Sequence, residues 1–250
     1  MKYFGFFLSI ILFSCGSNQD KEGGSVTVAC AANMQYAMDS IALLFEKEKG
    51  IKCDITAGSS GMLAAQIESG APYDLFISAD LTYPQGIFEK GNGEKPFIYA
   101  KGRLVLVVGK NTNYQTIEEA LSDSTMRRVG ISDKRLAPYG LAADQYLKKV
   151  GLYDKIASRL VVGENIGQIN QYLTTGSVDA AFTSYSFRIE NEENFKFFEV
   201  DPVNFEPIEQ GAMILEHGLK ENAERSAELR DFLKSAKCKA VLNYFGYHTD

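Results

Sequence analysis

Two successive runs of alternating strand-type and helix-type segments most constrain how this chain can fold. The first run opens with "SVTVACAA" and continues with a helical stretch that places Met34, Met38 and Ile41 on one face. It then proceeds through "IKCDITAG", a second helical stretch and "APYDLFISAD". Such alternation is typical of a parallel sheet covered by helices on both faces. The sequence therefore predicts an α/β fold.

A second run of the same kind starts at the strongly apolar segment "GRLVLVVGK", residues 102–110. The later segment "IEQGAMILEHG" returns toward the first run. We therefore predict two lobes, each a mostly parallel sheet flanked by helices. Lobe 1 would comprise residues 25–103 and 207–250, and lobe 2 residues 104–206. Ligands of open α/β sheets bind beyond the carboxyl ends of the strands, so we expect the site in the cleft between the lobes.

The first fifteen residues, "MKYFGFFLSIILFSC", differ from the rest of the chain. One lysine precedes an apolar run that is too short to span a bilayer and is typical of a signal peptide. The ending "LFSC" resembles a bacterial lipoprotein processing box. That resemblance implies acylation of Cys15 and a periplasmic, membrane-anchored protein with residues 16–24 as a flexible tether. An ordinary signal peptide with an incidental cysteine is the alternative.

Charge and cysteine content narrow the possible partners. The net charge of −6 argues against a nucleic-acid partner.

Cys30, Cys53 and Cys238 are widely spaced and show no pairing typical of metal sites. We interpret them as buried apolar side chains, although one disulfide is possible in an exported protein.

The turns between strands and helices carry the chemical information. "CAANMQ" and "TAGSSGM" place Asn33, Ser59 and Ser60 where helices begin. The first amides of a helix lack internal partners and carry the positive end of its dipole, so they can bind an anion without any formal charge. Taken alone, each of these residues is better explained as a simple helix cap. Two more such turns, "DKRLAPYGLAAD" and "VGENIGQIN", follow in the second run. Four helix starts facing one cleft would surround a small anion with neutral donors.

Several segments resemble the periplasmic molybdate-binding proteins of ABC transporters. They are "ACAANMQYAMDSIALLFEKEKG", "SSGMLAAQIESGAPYDLFISAD", "KGRLVLVVGK" and, near the end, "YFGY". The resemblance extends from Val26 to the end of the chain. It implies a two-lobed Venus-flytrap binding protein, not an enzyme, that delivers molybdate or tungstate to a membrane permease. We expect a monomer without a cofactor.

The resemblance also implies the residues that hold the oxyanion. Asn33 and Ser60 would donate from lobe 1, and the main-chain amides of Tyr139 and Ile166 from lobe 2. A fifth contact would come from Ser184 or Tyr185 at the end of "VDAAFTS". No direct cation ligands are expected. Donors without acceptors suit a fully deprotonated dianion, and unmade hydrogen bonds in a closed cleft would exclude the smaller sulfate.

Three alternatives remain open at this stage. Another oxyanion binder of the same architecture is one. A phosphate site would gain from a carboxylate acceptor, for which Glu164 in "VGENIGQIN" is a candidate. A ferric site would need clustered tyrosines with carboxylates. A serine hydrolase would need a base, but His217 and His248 both come late and no G-x-S-x-G motif is present. We interpret Asp74 and Asp80 as structural. A module that senses the ligand and signals is a further, weaker alternative.

Overall fold

The computed structural model describes residues 24–249, so Cys15, the signal segment and most of the predicted tether lie outside the described residues. Within that range, ten strands form two five-stranded sheets. The strands are β1 (Ser25–Ala31), β2 (Lys52–Gly58), β3 (Leu75–Ile77), β4 (Phe97–Lys101), β5 (Leu104–Gly109), β6 (Val129–Ser132), β7 (Leu160–Gly163), β8 (Ala180–Ser184), β9 (Phe195–Glu199) and β10 (Glu209–Ile214).

Helices and short 3₁₀ turns connect these strands. The helices are α1 (Gln35–Lys49), α2 (Ser60–Glu68), α3 (Thr82–Glu89), α4 (Ile117–Ser122), α5 (Pro138–Lys149), α6 (Tyr153–Ile156), α7 (Ile166–Thr174), α8 (Arg188–Asn191), α9 (Glu216–Glu221), α10 (Ala223–Leu233) and α11 (Ala236–Tyr244). The 3₁₀ turns are Ala32–Met34, Ala157–Arg159, Tyr185–Phe187 and Pro202–Asn204.

Both sheets are mixed around a parallel core. In the first, of order β2-β1-β3-β10-β4, strand β1 is parallel to β2 and β3, and β10 is antiparallel to β3 and β4. The second, of order β7-β6-β8-β5-β9, repeats this plan with β6 parallel to its neighbours and β5 antiparallel to β8 and β9. The predicted α/β fold class is confirmed. We call the first sheet with its helices lobe 1 and the second lobe 2.

Helix α1 shows how the sequence pattern builds a lobe. Its side chains Met38, Ile41 and Phe45 repeat at helical spacing and are fully buried in the core of lobe 1. The helix ends at Gly50, whose left-handed backbone (φ 68°) lets its N–H donate to the carbonyl of Glu46. Glycine adopts this conformation without strain, so Gly50 ends the helix whose apolar face packs in the core.

Two crossover segments join the lobes, residues 102–103 between β4 and β5 and residues 200–208 between β9 and β10. They are linked to each other, because the Gly102 N–H donates to the Ile208 carbonyl at 2.8 Å. Beyond them the lobes pack directly. Ala31 and Ala79 of lobe 1 belong to the same buried apolar cluster as Leu104 and other lobe 2 residues. Among the described residues, no helix combines the length and apolar character that crossing a membrane would require.

Candidate functional site: a neutral cavity between the lobes

A small cavity lies between the lobes, where strands end and helices begin. It is lined by Ala31, Ala32, Asn33, Gly58, Ser59, Ser60, Ala79, Ala137, Pro138, Tyr139, Asn165 and Ile166. Among the residues that the structure describes, 24–249, those that line the cavity carry no charge. The cavity can therefore attract an anion only through dipoles and hydrogen-bond donors.

Lobe 1 supplies two serine hydroxyls at the start of α2. Ser60 is the first helical residue, and its Oγ accepts the N–H of Ala79 at 3.0 Å, which leaves its own proton free to donate. Ser59 precedes the helix in an extended conformation, but its side chain caps nothing. Its Oγ is buried and has no hydrogen-bond partner. The turn "TAGSSGM" therefore holds two hydroxyl donors beside the cavity.

The unpaired Ser59 hydroxyl lies on the cavity wall, where it is available to a ligand. A buried polar group without a partner costs about 1–3 kcal/mol, and such groups are rare in folded proteins. The sequence places Ser59 and Ser60 in the same turn, but the resemblance implies only Ser60 as a donor to the anion. The available signal was the position of both serines in one turn, and neither side chain caps the helix.

Lobe 2 supplies main-chain amides at two helix starts. Tyr139 is the second residue of α5, directly after Pro138 at the first helical position. Ile166 is the first residue of α7, which Asn165 caps by accepting the Gln168 N–H at 3.0 Å. Amides in the first turn of a helix have no partner within the helix. The N–H groups of Tyr139 and Ile166 therefore stand at the positive ends of two helix dipoles beside the cavity.

Asn33 forms part of the cavity wall, but its side chain is engaged elsewhere. Its Nδ2 donates to Gln210 Oε1 at 2.9 Å and to the Tyr247 hydroxyl at 3.1 Å. Its carbonyl accepts the Tyr247 hydroxyl at 2.7 Å and the Ser186 hydroxyl at 2.9 Å. Since both N–H bonds of its amide are used, Asn33 fixes the wall of the cavity through a buried network.

Ser184 and Tyr185 do not line the cavity. Ser184, at the end of β8, shares a hydrogen bond of 2.8 Å with the Ser186 hydroxyl. The Tyr185 ring lies under the Arg103 guanidinium, 3.7 Å from its centre, and its hydroxyl accepts a hydrogen bond from Arg188. The structure thus brings Asn33, Ser60, Tyr139 and Ile166 to one cavity and leaves Ser184 and Tyr185 outside it.

Hydrogen bonds across the cleft hold the lobes closed around the cavity. The Gly61 N–H donates to the Leu136 carbonyl, and the Tyr83 hydroxyl donates to the Arg135 carbonyl, both at 2.9 Å. The bond from Ser186 to Asn33 also joins the two lobes. The structure therefore has the closed geometry in which a bound ion would be shielded from water.

Ionisable groups near the cavity do not supply a catalytic base. Burial raises the pKa of the Tyr139 hydroxyl well above its usual value, so it stays protonated. His217 pairs through Nδ1 with Asp74 at 2.9 Å, and His248 bridges Lys101 through main-chain bonds; neither lines the cavity. In residues 24–249, no group of His, Cys, Asp and Glu side chains is arranged to hold a metal ion.

The remaining cysteines and carboxylates have structural environments. Cys30, Cys53 and Cys238 are free, and burial raises the pKa of Cys53 and of Cys238 to about 12. Asp74 is buried and accepts the Thr27 N–H at 2.8 Å, and Asp80 accepts the Ser78 hydroxyl at 3.0 Å. None of these side chains lines the cavity.

Comparisons with known proteins agree with this geometry. Residues 26–248 match the family model described as "Bacterial extracellular solute-binding protein". The chain is 34% identical to the molybdate-binding protein ModA of Azotobacter vinelandii, over 90% of each chain. It is 31% identical to ModA of Rhodobacter capsulatus, over 91% of this chain and 89% of that protein.

A solved structure shows the same fold. The periplasmic molybdate-binding protein of Azotobacter vinelandii superposes with a TM-score of 0.85 at 29% identity, covering 90% of this chain and 99% of that one. Its lobed architecture and the matches above agree over nearly the whole described range. The chain therefore belongs to the family of bacterial extracellular solute-binding proteins.

Proposed function

We propose that this protein binds molybdate, or the isostructural tungstate, outside the cytoplasm and delivers it to the permease of an ABC transporter. The observation that carries the proposal is a closed, uncharged cavity with the unpaired buried Ser59 hydroxyl and the spare Ser60 proton on one side and two helix starts on the other. The names of the relatives that match over nearly the whole chain support the same ligand.

Binding would proceed through donors alone. The hydroxyls of Ser59 and Ser60 hold the ion from lobe 1, and the amides of Tyr139 and Ile166 complete the shell when lobe 2 closes. Residues 25–103 with 207–250 move as one body and residues 104–206 as the other, opening at the crossover segments. Ser184 supports the Asn33 side of the cavity through Ser186, and neither Ser184 nor Tyr185 is among the proposed contacts of the ion.

The chemistry of the lining favours molybdate over other oxyanions. Molybdate is fully deprotonated near neutral pH, so it offers only acceptors, which matches a lining that offers donors and no carboxylate. Protonated phosphate would place a donor against these donors. Sulfate has the right charge but shorter bonds, so it would leave several donors unpaired in a closed cavity, at about 1–3 kcal/mol each.

Calorimetric titration of the purified protein with molybdate, tungstate, sulfate and phosphate tests this proposal. We expect tight binding of molybdate and tungstate, and sulfate and phosphate weaker by at least about a hundredfold. Tight binding of phosphate or sulfate with weak binding of molybdate would assign the chain to another oxyanion. Absence of binding by all four would refute an oxyanion function.

Membrane anchoring through Cys15 is the second part of the proposal. It is supported by the sequence "LFSC" followed by a polar segment. Cells that express the protein are grown with radiolabelled palmitate. The wild-type protein and the Cys53→Ser variant should become labelled, but the Cys15→Ser variant should not. Label that persists in Cys15→Ser would place the modification elsewhere. We also propose that the protein is a monomer, which sedimentation of the purified mature protein should show as a single species with the mass of one chain.

A further inference from the structure

Tyr139 is a lobe 2 residue whose main chain and side chain reach different parts of the molecule. Its amide stands at the start of α5 beside the cavity, and its side chain is fully buried. The hydroxyl oxygen lies against the crossover segment, because a Cβ on Gly102 would be only 2.2 Å from it. Tyr139 therefore connects the cavity wall to the segment where lobe 1 becomes lobe 2.

The hydroxyl of Tyr139 is surrounded by lobe 1 without being bonded to it. The polar groups of Asn33, Gln210 and Tyr247 lie next to it and influence its pKa, although none of them meets the distance and angle limits of a hydrogen bond with it. Gln210 is fully buried and is already held by Asn33 and by the Ala79 carbonyl. The Tyr139 hydroxyl is therefore enclosed by buried lobe 1 side chains and limits by its size how near the two lobes can approach.

The other end of Tyr139 is fixed within lobe 2. A Cβ on the next residue, Gly140, would lie 2.2 Å from the carbonyl oxygen of Ser132, so the start of α5 is pressed against the end of β6. The Tyr139 ring also belongs to the apolar cluster that contains Leu104 and Ile166. A displacement of its hydroxyl would therefore carry the start of α5 with it.

We propose that Tyr139 is a positioning residue that sets the separation of the lobes in the closed form and thereby selects the oxyanion by size. This inference rests on the proposed function. The length of the ring between α5 and Gly102 limits how near the amides of lobe 2 can approach Ser59 and Ser60. A shorter side chain at this position would let the cavity contract toward a smaller tetrahedral ion.

Tyr139→Phe tests the proposal with the main-chain donor retained. Calorimetry should show that the ratio of the sulfate Kd to the molybdate Kd falls by about tenfold relative to the wild type, because the contracted cavity favours sulfate. Tyr146→Phe is the matched control. Tyr146 lies on the same helix and is equally buried, but its hydroxyl donates to Glu118 on lobe 2, so its loss should leave the ratio unchanged.

Gly102→Ala tests the contact between Gly102 and the Tyr139 hydroxyl by changing Gly102. Its methyl group would displace the Tyr139 hydroxyl and hold the lobes apart, so molybdate affinity should fall by about tenfold or more. Gly109→Ala, where a Cβ meets nothing within 4 Å, should bind like the wild type. The double variant Gly102→Ala/Tyr139→Phe should recover part of the loss, because the displaced atom is gone.

The outcomes separate this inference from the proposed function. If the wild type does not bind molybdate, the proposed function fails before any variant is compared. If it binds, but Tyr139→Phe lowers both affinities equally or leaves the ratio within about twofold of the wild type, Tyr139 has only a structural role and the inference is overturned. Thermal unfolding of each variant shows whether it is folded. Should Gly102→Ala fail to fold, the Tyr139→Phe ratio alone decides.

Discussion

The two lobes face the same cavity with different kinds of hydrogen-bond donor. Lobe 1 presents the side-chain hydroxyls of Ser59 and Ser60, whereas lobe 2 presents the main-chain amides of Tyr139 and Ile166. A hydroxyl is removed by any substitution to alanine, but a main-chain amide survives every substitution except proline. The lobe 1 half of the site therefore depends on the residue types in the sequence, and the lobe 2 half depends on the positions at which helices begin.

Ile166→Pro is the sharpest way to break this comparison, and we expect it to have the largest effect. Proline fits the first position of a helix, and Asn165 before it already has the extended backbone (φ −151°, ψ 175°) that proline requires. The change therefore removes the N–H with little disturbance of α7. A lost hydrogen bond to a charged group is worth about 1.5–3 kcal/mol, so calorimetry should show molybdate affinity about 10- to 100-fold weaker.

Ile166→Ala is the matched control for that change. It removes the buried side chain but keeps the amide, so the difference between the two variants isolates the N–H group. Equal molybdate affinities in Ile166→Pro and Ile166→Ala would mean that the start of α7 does not contact the ion.

Ser59→Ala and Ser60→Ala sharpen the lobe 1 half of the comparison. Each removes one donor to the ion, so each should weaken molybdate binding by about tenfold. Their effects on the ligand-free protein should differ. Ser60→Ala leaves the Ala79 N–H without its acceptor and should lower the free energy of unfolding by about 1 kcal/mol. Ser59→Ala removes an unpaired buried hydroxyl and should leave stability equal or higher.

Calorimetry and thermal unfolding of both serine variants measure these effects. Ser69→Ala serves as the control, because Ser69 is exposed at the far end of the same helix, α2. Unchanged binding in Ser59→Ala would show that the unpaired hydroxyl faces away from the ion, and the lobe 1 contribution would then reduce to Ser60.

The fold could be predicted from sequence because its determinants are local. The periodic apolar residues of α1 and the short β-type runs on either side of it specify strand–helix–strand units without reference to distant residues. Helix starts are equally local, and the resemblance adds which residues at them, Ser60, Tyr139 and Ile166, are expected beside the anion.

What could not be predicted depends on contacts between residues far apart in the chain. Asn33 is bonded to Gln210 and Tyr247, 177 and 214 residues away, so nothing near Asn33 in the sequence shows that its amide is already used. Ser184 and Tyr185 illustrate a second limit. The Tyr185 ring stacks on Arg103, which is distant in the sequence, and Ser184 is bonded to Ser186, so neither side chain lines the cavity.

Tyr83→Phe examines whether the contact between the lobes outside the cavity contributes to holding the ion. The Tyr83 hydroxyl bonds the Arg135 carbonyl across the cleft, and its removal loses one neutral hydrogen bond in the closed form alone. Such a bond contributes about 0.5–1.5 kcal/mol, so stopped-flow measurements should show molybdate release faster by about two- to tenfold. Tyr73→Phe is the control, because its bond to Gln66 lies within lobe 1. Equal release rates in the two variants would assign closure to the cavity contacts alone.

The smallest expected effect is that of salt on the molybdate Kd. It tests the feature that the two lobes share, since neither lobe presents a charge to the cavity. Ions at about 0.5 M shorten the screening length to a few ångströms and weaken exposed charge pairs strongly, but they act little on short hydrogen bonds inside a closed cavity. The molybdate Kd should therefore change by less than about twofold between about 0.05 and 0.5 M sodium chloride. Calorimetry in sodium chloride measures this without adding a competing tetrahedral ion. A Kd that rises steeply with salt would mean that lysine or arginine side chains outside the cavity attract the ion. The neutral donors of both lobes would then determine the orientation of the ion more than its affinity.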